Sequence, residues 1–187
     1  MNRQRSHRLT RADWLQTGLE ALASDGPAAL AAEPLARRLG TTKGSFYWHF
    51  SDLPTFQAAL VAQWEVDAIR QADETLTNAP NDVSRLRLLA QIITSKPDGD
   101  ATYSAPTEPA MRAWALSDAA VAAAIERVDE TRIGHLRQLL QSVGVSNPEM
   151  PRIIYGASLG MEAIAPSEPA QNTDAVGTLV DLVLALR

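Results

Sequence analysis

The sequence has no cysteine among its 187 residues. This absence excludes a disulfide framework, a zinc–thiolate site and a thiol nucleophile, and it fits a protein of the reducing cytoplasm. Long apolar runs are missing as well, and none approaches the roughly 18 residues of a membrane-spanning helix. Only three Phe and three Tyr are present, against 31 Ala, the strongest helix former. We therefore expect an all-α, cytoplasmic protein that does not enter a membrane.

Recognisable catalytic motifs are also missing. The sequence contains no Gly-rich phosphate loop, no GxSxG and no HExxH. His135 is the only histidine beyond residue 50, and a lone histidine is more often a surface or core residue than a metal ligand. We expect no enzymatic activity, no catalytic residue, no metal and no cofactor.

Charge is distributed unevenly along the chain. Residues 1–50 carry seven basic and four acidic side chains, a net charge of +3, whereas the remaining residues carry ten basic and 18 acidic ones, a net charge of −8. A basic end on an acidic body is typical of a nucleic-acid-binding segment attached to another domain. A basic terminus without a specific role gives the same pattern, so charge alone leaves both interpretations open.

Apolar spacing and capping residues predict nine helices and two domains. Thr10 with Asp13 resembles a capping box, and Asp25-Gly26-Pro27 ends the first helix. The predicted helices begin near or span 11–25, 34–39, 43–50, 53–76, 83–94, 107–116, 118–143, 147–164 and 173–186. Residues 96–109 form a long loop that we interpret as a flexible entry segment. We assign residues 8–52 to a helix-turn-helix domain and 53–187 to a helical domain for ligand binding and dimerisation.

The second and third of these helices, separated by Gly40-Thr41, form the candidate DNA-reading unit. Phe46 and Phe50 are four residues apart and share the inward face. The residues expected to contact bases or phosphate are Thr10, Arg37, Arg38, Thr42 as helix cap, Lys43, Gly44, Ser45, Tyr47, Trp48 and His49. Spacing alone leaves an alternative open, in which the aromatic residues from 46 to 50 are simply a core cluster.

The same residues resemble a known signature. Thr10-Arg11, Leu35-Ala36, Leu39-Gly40 and the run from Thr41 to Phe50 resemble the tetracycline-repressor (TetR) family of transcriptional regulators. The resemblance covers about 45 residues. It implies a homodimer on a palindromic operator, a recognition helix from Lys43 to His49, and release of the operator when a small molecule binds the C-terminal domain. It also implies that the last two helices form a four-helix dimer interface.

One position departs from the family pattern. Many members carry Lys or Arg at the start of the fourth helix, where it holds phosphate, and this chain has Leu53 there. That substitution puts one phosphate contact in doubt, and Thr10, Arg11 or the tail residues Arg3, Arg5 and Arg8 are the candidates to replace it.

The C-terminal body is predicted to hold an apolar pocket and a dimer face. The candidate pocket residues are Trp64, Gln91, Tyr103, Met111, Trp114, His135 and Tyr155, although each aromatic residue taken singly also fits a core position. The last helices are apolar on more than one face, which favours a twofold dimer. The candidate interface residues are Ile153, Ile154, Gly160, Met161, Ile164, Val176, Leu179, Val180 and Val183.

The sequence therefore predicts a DNA-binding regulator, a repressor of transcription, whose partners are duplex operator DNA, a second copy of the chain and an unidentified small-molecule effector. Two other classes stay open. One is an all-helical scaffold or small-molecule-binding protein without sequence-specific DNA binding, and the other is an all-helical enzyme.

Overall fold

The computed structural model describes residues 9–92 and 107–187. Helices are the only regular secondary structure over these residues, which confirms the predicted all-α class. Nine α-helices follow one another in the described ranges, with a 3₁₀ turn at Pro27–Ala29 between the first two. They are α1 (Arg11–Asp25), α2 (Ala32–Arg38), α3 (Lys43–His49), α4 (Leu53–Asn78), α5 (Asp82–Ala90), α6 (Thr107–Ala115), α7 (Ala119–Ser142), α8 (Met150–Ile164) and α9 (Pro169–Ala185).

The cap residues explain where several helices begin and end. Thr10 and Asp13 form the predicted capping box: the Asp13 N–H donates to Thr10 Oγ1 at 3.3 Å, and the Thr10 N–H donates to Asp13 Oδ2 at 2.6 Å. Gly26 ends α1 with a φ of +77°, a conformation that favours glycine. Asn81 caps α5 by accepting the Ser84 N–H at 2.9 Å.

Some predicted boundaries are wrong. Helix α2 begins at Ala32 rather than at Pro34, and α8 begins at Met150 rather than at residue 147. Helix α9 begins at Pro169, inside the segment predicted as a turn up to Asn172, because proline is compatible with the first helical turn. Helix α5 ends at Ala90, short of the predicted residue 94. Most of the predicted 96–109 loop lies outside the described residues.

The chain divides into two compact units. The first comprises the described residues of 1–64 and 100–122, and the second those of 65–99 and 123–187. In this division α6 belongs to the first unit, where it packs on α1. The predicted functional boundary after residue 52 stays a prediction.

In the first unit, α1 crosses the start of α4 at a glycine. A Cβ built on Gly18 would lie 2.5 Å from Leu60 Cδ1 and 2.6 Å from Phe56 Cζ. Only a residue without a side chain allows this approach, so Gly18 fixes how closely α1 and α4 pack.

In the second unit, α5, α8 and α9 pack against one another around a core that also includes α7 residues. Two residues after the end of α7, Gly144 has a φ of +89°, and the Val145 N–H donates back to the Leu140 carbonyl at 2.8 Å. Among the described residues, no helix combines the length and apolar character needed to cross a membrane.

Candidate nucleic-acid interface

Helices α2 and α3 are joined by a turn that depends on Gly40. Gly40 has a φ of +63°, in the left-handed region. The Thr41 N–H donates to the Ala36 carbonyl at 2.9 Å, and the Gly40 N–H donates to the Arg37 carbonyl at 3.2 Å. These two bonds form a Schellman motif, which satisfies the last carbonyls of α2 and turns the chain into α3. The predicted helix-turn-helix connection at Gly40-Thr41 is therefore built from local backbone chemistry.

One side of α3 is anchored in an aromatic cluster. Phe46 and Phe50 are buried, and both pack against Phe56 of α4, with ring centroids 5.3 and 5.0 Å apart. Trp14 of α1 meets the Phe46 ring edge-on at 5.4 Å. Edge-to-face pairs of this kind stabilise beyond the area they bury. The cluster joins α1, α3 and α4 and fixes the rotation of α3 about its own axis.

The opposite side of α3 faces outward. Lys43, Gly44, Tyr47 and Trp48 are exposed, Tyr47 by 51% and Trp48 by 88%. Residues 43 and 47 lie about one helical turn apart, and so do residues 44 and 48, so the four residues share a single face of the helix. The interpretation in which the four aromatic residues from 46 to 50 are all core is therefore wrong, because only Phe46 and Phe50 are buried.

Ser45 and His49 lie between these two faces. Both are half-buried, and the His49 ring is 6.3 Å from the Trp14 ring. They border the outward face of α3 rather than stand on it.

Two threonines expected at the interface differ in their bonding. Thr42 occupies the cap position of α3 with extended backbone, but its hydroxyl makes no capping hydrogen bond, contrary to the prediction. Its side chain is exposed. The Thr10 hydroxyl, by contrast, donates to Asp13 Oδ2 at 2.8 Å within the capping box of α1. The one proton of the Thr10 hydroxyl is already used inside the protein.

The arginines near α3 also differ in availability. Arg37 is strongly exposed and makes only a 3.4 Å contact with Glu33, an i,i+4 pair that contributes little. Arg38 is turned back toward the end of α1, where it pairs with Asp25 and donates to Ser24 Oγ at 2.9 Å. Arg11 lies over the Phe50 ring, 4.8 Å from its centroid, which is a cation–π distance. Arg3, Arg5 and Arg8 lie outside the described residues.

The start of α4 carries a carboxylate instead of a cation. Asp52 accepts the Thr55 N–H at 2.7 Å. Hydrogen bonds from the Thr55 side chain and then from the Thr55 N–H lower the Asp52 pKa below its usual value. Leu53, the departure from the family pattern, is half-buried at the first position of the helix. This end of α4 therefore has no side chain that attracts phosphate at positions 52 and 53.

The predicted pocket residues are mostly packed core. Trp64, Met111 and Trp114 are buried in the first unit, and Tyr155 is buried in the second. Gln91 and His135, in the second unit, are half-buried: Gln91 donates to the Thr173 carbonyl at 2.7 Å, and His135 Nε2 lies 3.8 Å from Asp73. Tyr103 lies outside the described residues. The second unit has a concave pocket with a volume of about 410 Å³, and none of the predicted pocket residues lines it. Its lining residues are Val66, Ile69, Arg70, Asp73, Glu74, Thr77 and Asn78.

A buried polar group in the second unit escaped sequence reasoning. Tyr155 donates to Asp129 Oδ1 at 2.7 Å, and Arg132 Nη1 donates to the Tyr155 hydroxyl at 3.3 Å. Arg132 is 3% exposed, which is unusual for an arginine. A signal was present, because position 132 falls between Val128 and Leu136 at the spacing of the buried stripe of α7.

The predicted dimer face needs correction. Ile154, Val176, Val180 and Val183 are buried in the core of the second unit and have no surface left for a partner. Ile153 and Ile164 are exposed by 50% and 78%. Between them on α8, Gly156 is exposed and Gly160 half-buried, and a Cβ at either position would meet no atom within 4 Å. Met161 and Leu179 are only partly buried, against the core.

The α8 stripe, as we name it, consists of exposed or half-buried small and apolar residues at helical spacing: Ile153, Gly156, Ala157, Gly160, Ala163 and Ile164. On α9 the exposed Leu182 and Leu186 provide further apolar surface. In the described part of the chain, no group of three or more His, Cys, Asp or Glu residues is arranged to hold a metal ion.

The comparisons with known proteins agree with this geometry. Residues 15–52 match the family model of the bacterial regulatory proteins of the tetR family. No curated protein sequence matches the chain. The match to the family model confirms the predicted resemblance over most of α1 and the whole of α2 and α3.

Solved structures share the fold over nearly the whole chain. NemR from E. coli in its reduced form is 18% identical, with 92% of this chain and 96% of that chain covered and a TM-score of 0.75. A TetR-family transcriptional regulator from Streptomyces coelicolor is 21% identical, with 94% of each chain covered and a TM-score of 0.63. A protein described as a transcriptional regulator from Saccharomonospora viridis, solved in complex with choline, is 13% identical, with 91% and 95% covered and a TM-score of 0.73.

Proposed function

We propose that this protein is a transcriptional repressor that binds a palindromic operator as a homodimer and releases it when a small molecule binds. The proposal starts from the match of residues 15–52 to the tetR family model and from the fold shared with TetR-family regulators. The observation that carries this proposal is the outward face of α3, with Lys43, Gly44, Tyr47 and Trp48 exposed while Phe46 and Phe50 anchor the helix.

Each group on this face has a role in a major groove. Lys43 supplies a cation for guanine acceptors or phosphate, and Gly44 lets backbone approach DNA closely. Tyr47 has a polar tip suited to a phosphate oxygen. Around the face, the exposed Arg37 and the hydroxyl of Thr42 are the additional phosphate contacts that we propose. Ser45 and His49 contribute from its border, whereas Thr10 and Arg38 are assigned a smaller part because their donors are engaged within the protein.

The α8 stripe supports dimerisation with a second copy of the chain. It is continuous along one side of α8, and its two glycines allow the backbone of a partner helix to approach closely. A twofold axis through this stripe would place Ile153 and Ile164 against the same residues of the partner, together with Leu182 and Leu186 of α9. Contiguous exposed apolar residues are typical of a protein–protein contact surface.

The effector belongs, in this proposal, to the helical body. The choline complex of the Saccharomonospora viridis protein is a precedent for a small molecule bound to this fold. In the second unit, Gln91 and His135 are the predicted polar anchors and Tyr155 a predicted lining residue, and the buried Arg132 and half-buried Asp129 add charge beside Tyr155. Binding there has to favour one conformation over another to change operator affinity, with a coupling of roughly 1–3 kcal/mol.

A selection from random duplex DNA with the full chain tests the proposal. We expect recovery of a palindrome whose half-sites are about one helical turn, roughly 34 Å, apart. If the selection enriches no sequence although the protein is folded, the scaffold alternative is favoured and the repressor proposal is wrong.

A further inference from the structure

Trp48 is the most exposed large side chain of α3. Its indole is 88% exposed, and it follows Gly44 by four residues on the outward face. In a helix, a long side chain leans toward the turn that precedes it, so the indole leaves the helix on the same side as Gly44 without packing on it. A Cβ at Gly44 would have only Thr42 Oγ1 nearby, at 3.7 Å, which leaves the space beside the indole open.

Nothing in the protein core explains this side chain. Phe46, Phe50 and Phe56 form the aromatic cluster without it. Aromatic side chains bury more apolar area than most residues when they meet a partner surface, and the Trp48 indole, 88% exposed, has that whole area available. Because Trp48 shares its face with Lys43 and Tyr47, that surface is the one that meets DNA in the proposed function.

The chemistry of the indole decides what it can read there. It has a broad apolar face and a single N–H donor, and it accepts no hydrogen bond. It therefore cannot make the bidentate contacts that distinguish guanine or adenine. The one apolar group on a natural base edge in the major groove is the C5-methyl group of thymine.

We propose that Trp48 is a specificity-determining residue that packs its indole face against a thymine methyl group in each operator half-site. This inference rests on the proposed function, because it requires α3 to lie in the major groove. It adds that one position of each half-site is a T·A pair selected by apolar contact rather than by hydrogen bonding.

The test uses the operator recovered from the random selection and replaces thymine by deoxyuridine, one position per half-site at a time. This change removes the methyl group and keeps every hydrogen-bonding group. We expect one position at which wild-type affinity, measured by fluorescence anisotropy, falls about fourfold per half-site and about fifteenfold when both half-sites are changed, as for burial of one methyl group. Trp48→Ala should bind the thymine operator more weakly and should not distinguish thymine from deoxyuridine at that position.

Trp48→Phe is the matched variant, since it keeps an apolar ring and loses the N–H. It should retain most of the preference for thymine. If Trp48→Phe binds the operator as weakly as Trp48→Ala, and deoxyuridine does not change the affinity of wild type, then the indole N–H binds phosphate instead and the inference is wrong. It is also wrong if wild type binds the operator equally well with deoxyuridine at every position, a result that leaves the repressor proposal intact. Absence of any operator, by contrast, overturns the proposed function itself. Unchanged thermal melting of both variants shows that the comparison concerns binding and not folding.

Discussion

At the scale of single residues, exposure separates positions that the sequence motif groups together. Burial in α3 changes from one residue to the next with the turn of the helix, so Phe46 is fully buried while the neighbouring Tyr47 and Trp48 face outward. Lys43 is exposed at the start of the same helix. Because an exposed side chain can be removed without disturbing the fold, its substitution measures a DNA contact without a change in stability.

Lys43→Ala should weaken operator binding and reduce its dependence on salt. Each lysine that neutralises a phosphate contributes a slope of about −0.9 in log affinity against log salt concentration on duplex DNA. We expect band shifts at several salt concentrations to show a slope reduced by about one for each subunit in contact. Arg137→Ala, which removes the same charge from an exposed position of α7, is the control. Unchanged affinity of Lys43→Ala would contradict the placement of α3 in the groove.

Gly18→Ala should destabilise the protein although alanine is the better helix former. The new methyl group would lie within 2.6 Å of Leu60 and Phe56, so side chains of α4 must move, at a cost of about 1–3 kcal/mol. Gly134→Ala is the matched control, because it lies in the middle of α7 with no atom within 4 Å of the added carbon. Urea unfolding should show a loss for Gly18→Ala and a gain of up to about 1 kcal/mol for Gly134→Ala. Equal effects of the two variants would show that α1 and α4 are not closely packed at Gly18.

At the scale of elements, short helices depend on their ends and on their neighbours. Helices α2 and α3 have seven residues each, too few to be stable alone. The turn at Gly40 and the aromatic cluster hold them in place. Longer helices are joined by side chains instead: Arg127 of α7 donates to both carboxylate oxygens of Glu65 on α4, at 2.6 Å each.

Gly40→Ala should lower stability, because an alanine Cβ is strained at a φ of +63°. The expected loss is about 1–2 kcal/mol in the free energy of unfolding. Gly44→Ala in the neighbouring helix is the control, and it should be neutral or slightly stabilising because its Cβ meets no atom closer than 3.7 Å. If both variants unfold at the same urea concentration, the turn between α2 and α3 does not require a left-handed residue.

The Glu65–Arg127 pair should make stability depend on pH. Hydrogen bonds from Arg127 hold the Glu65 pKa below its ordinary value of 4.5. A lowered pKa in the folded state means that the contribution of the pair is present above pH 4.5 and is lost as the pH falls through the folded-state pKa. Glu65→Gln should therefore be less stable than wild type at pH 7, and the difference should shrink in acid. A difference that is constant between pH 7 and pH 3 in urea unfolding would contradict this assignment.

At the scale of the whole molecule, the proposed function requires two copies of the chain. One seven-residue recognition helix offers few base contacts, and joining two of them raises affinity by about 10²–10⁴-fold through effective concentration. The α8 stripe is the surface through which we propose this joining.

Ile153→Glu should convert the proposed dimer to a monomer, because it places a charge within an apolar twofold contact. Light scattering after size exclusion should show the mass of one 20.2 kDa chain, and operator affinity should fall about a hundredfold or more. Leu116→Glu is the control, since Leu116 is at least as exposed and apolar but lies outside the α8 stripe. A monomeric wild-type protein would overturn the homodimer proposal before any variant is made.

The sequence by itself determined the local features of this protein. Capping residues, helix-breaking glycines and apolar spacing are properties of neighbouring residues, so α1, α3 and the turn at Gly40 were predictable with their ends nearly correct. The short motif in α3 also indicated the resemblance to the tetR family model, because its chemistry is contained in seven consecutive residues.

Only the tertiary structure decided which apolar side chains are surface and which are core. Periodicity marks Ile153 and Ile154, or Leu179 and Val180, as equally apolar, and packing among α5, α8 and α9 buries Ile154 and Val180 while leaving Ile153 outside. The engagement of Arg38 with Asp25 and the burial of Arg132 likewise depend on residues distant in sequence. Burial is a property of the assembled fold, because it depends on which neighbours each side chain packs against and not on the residue type alone.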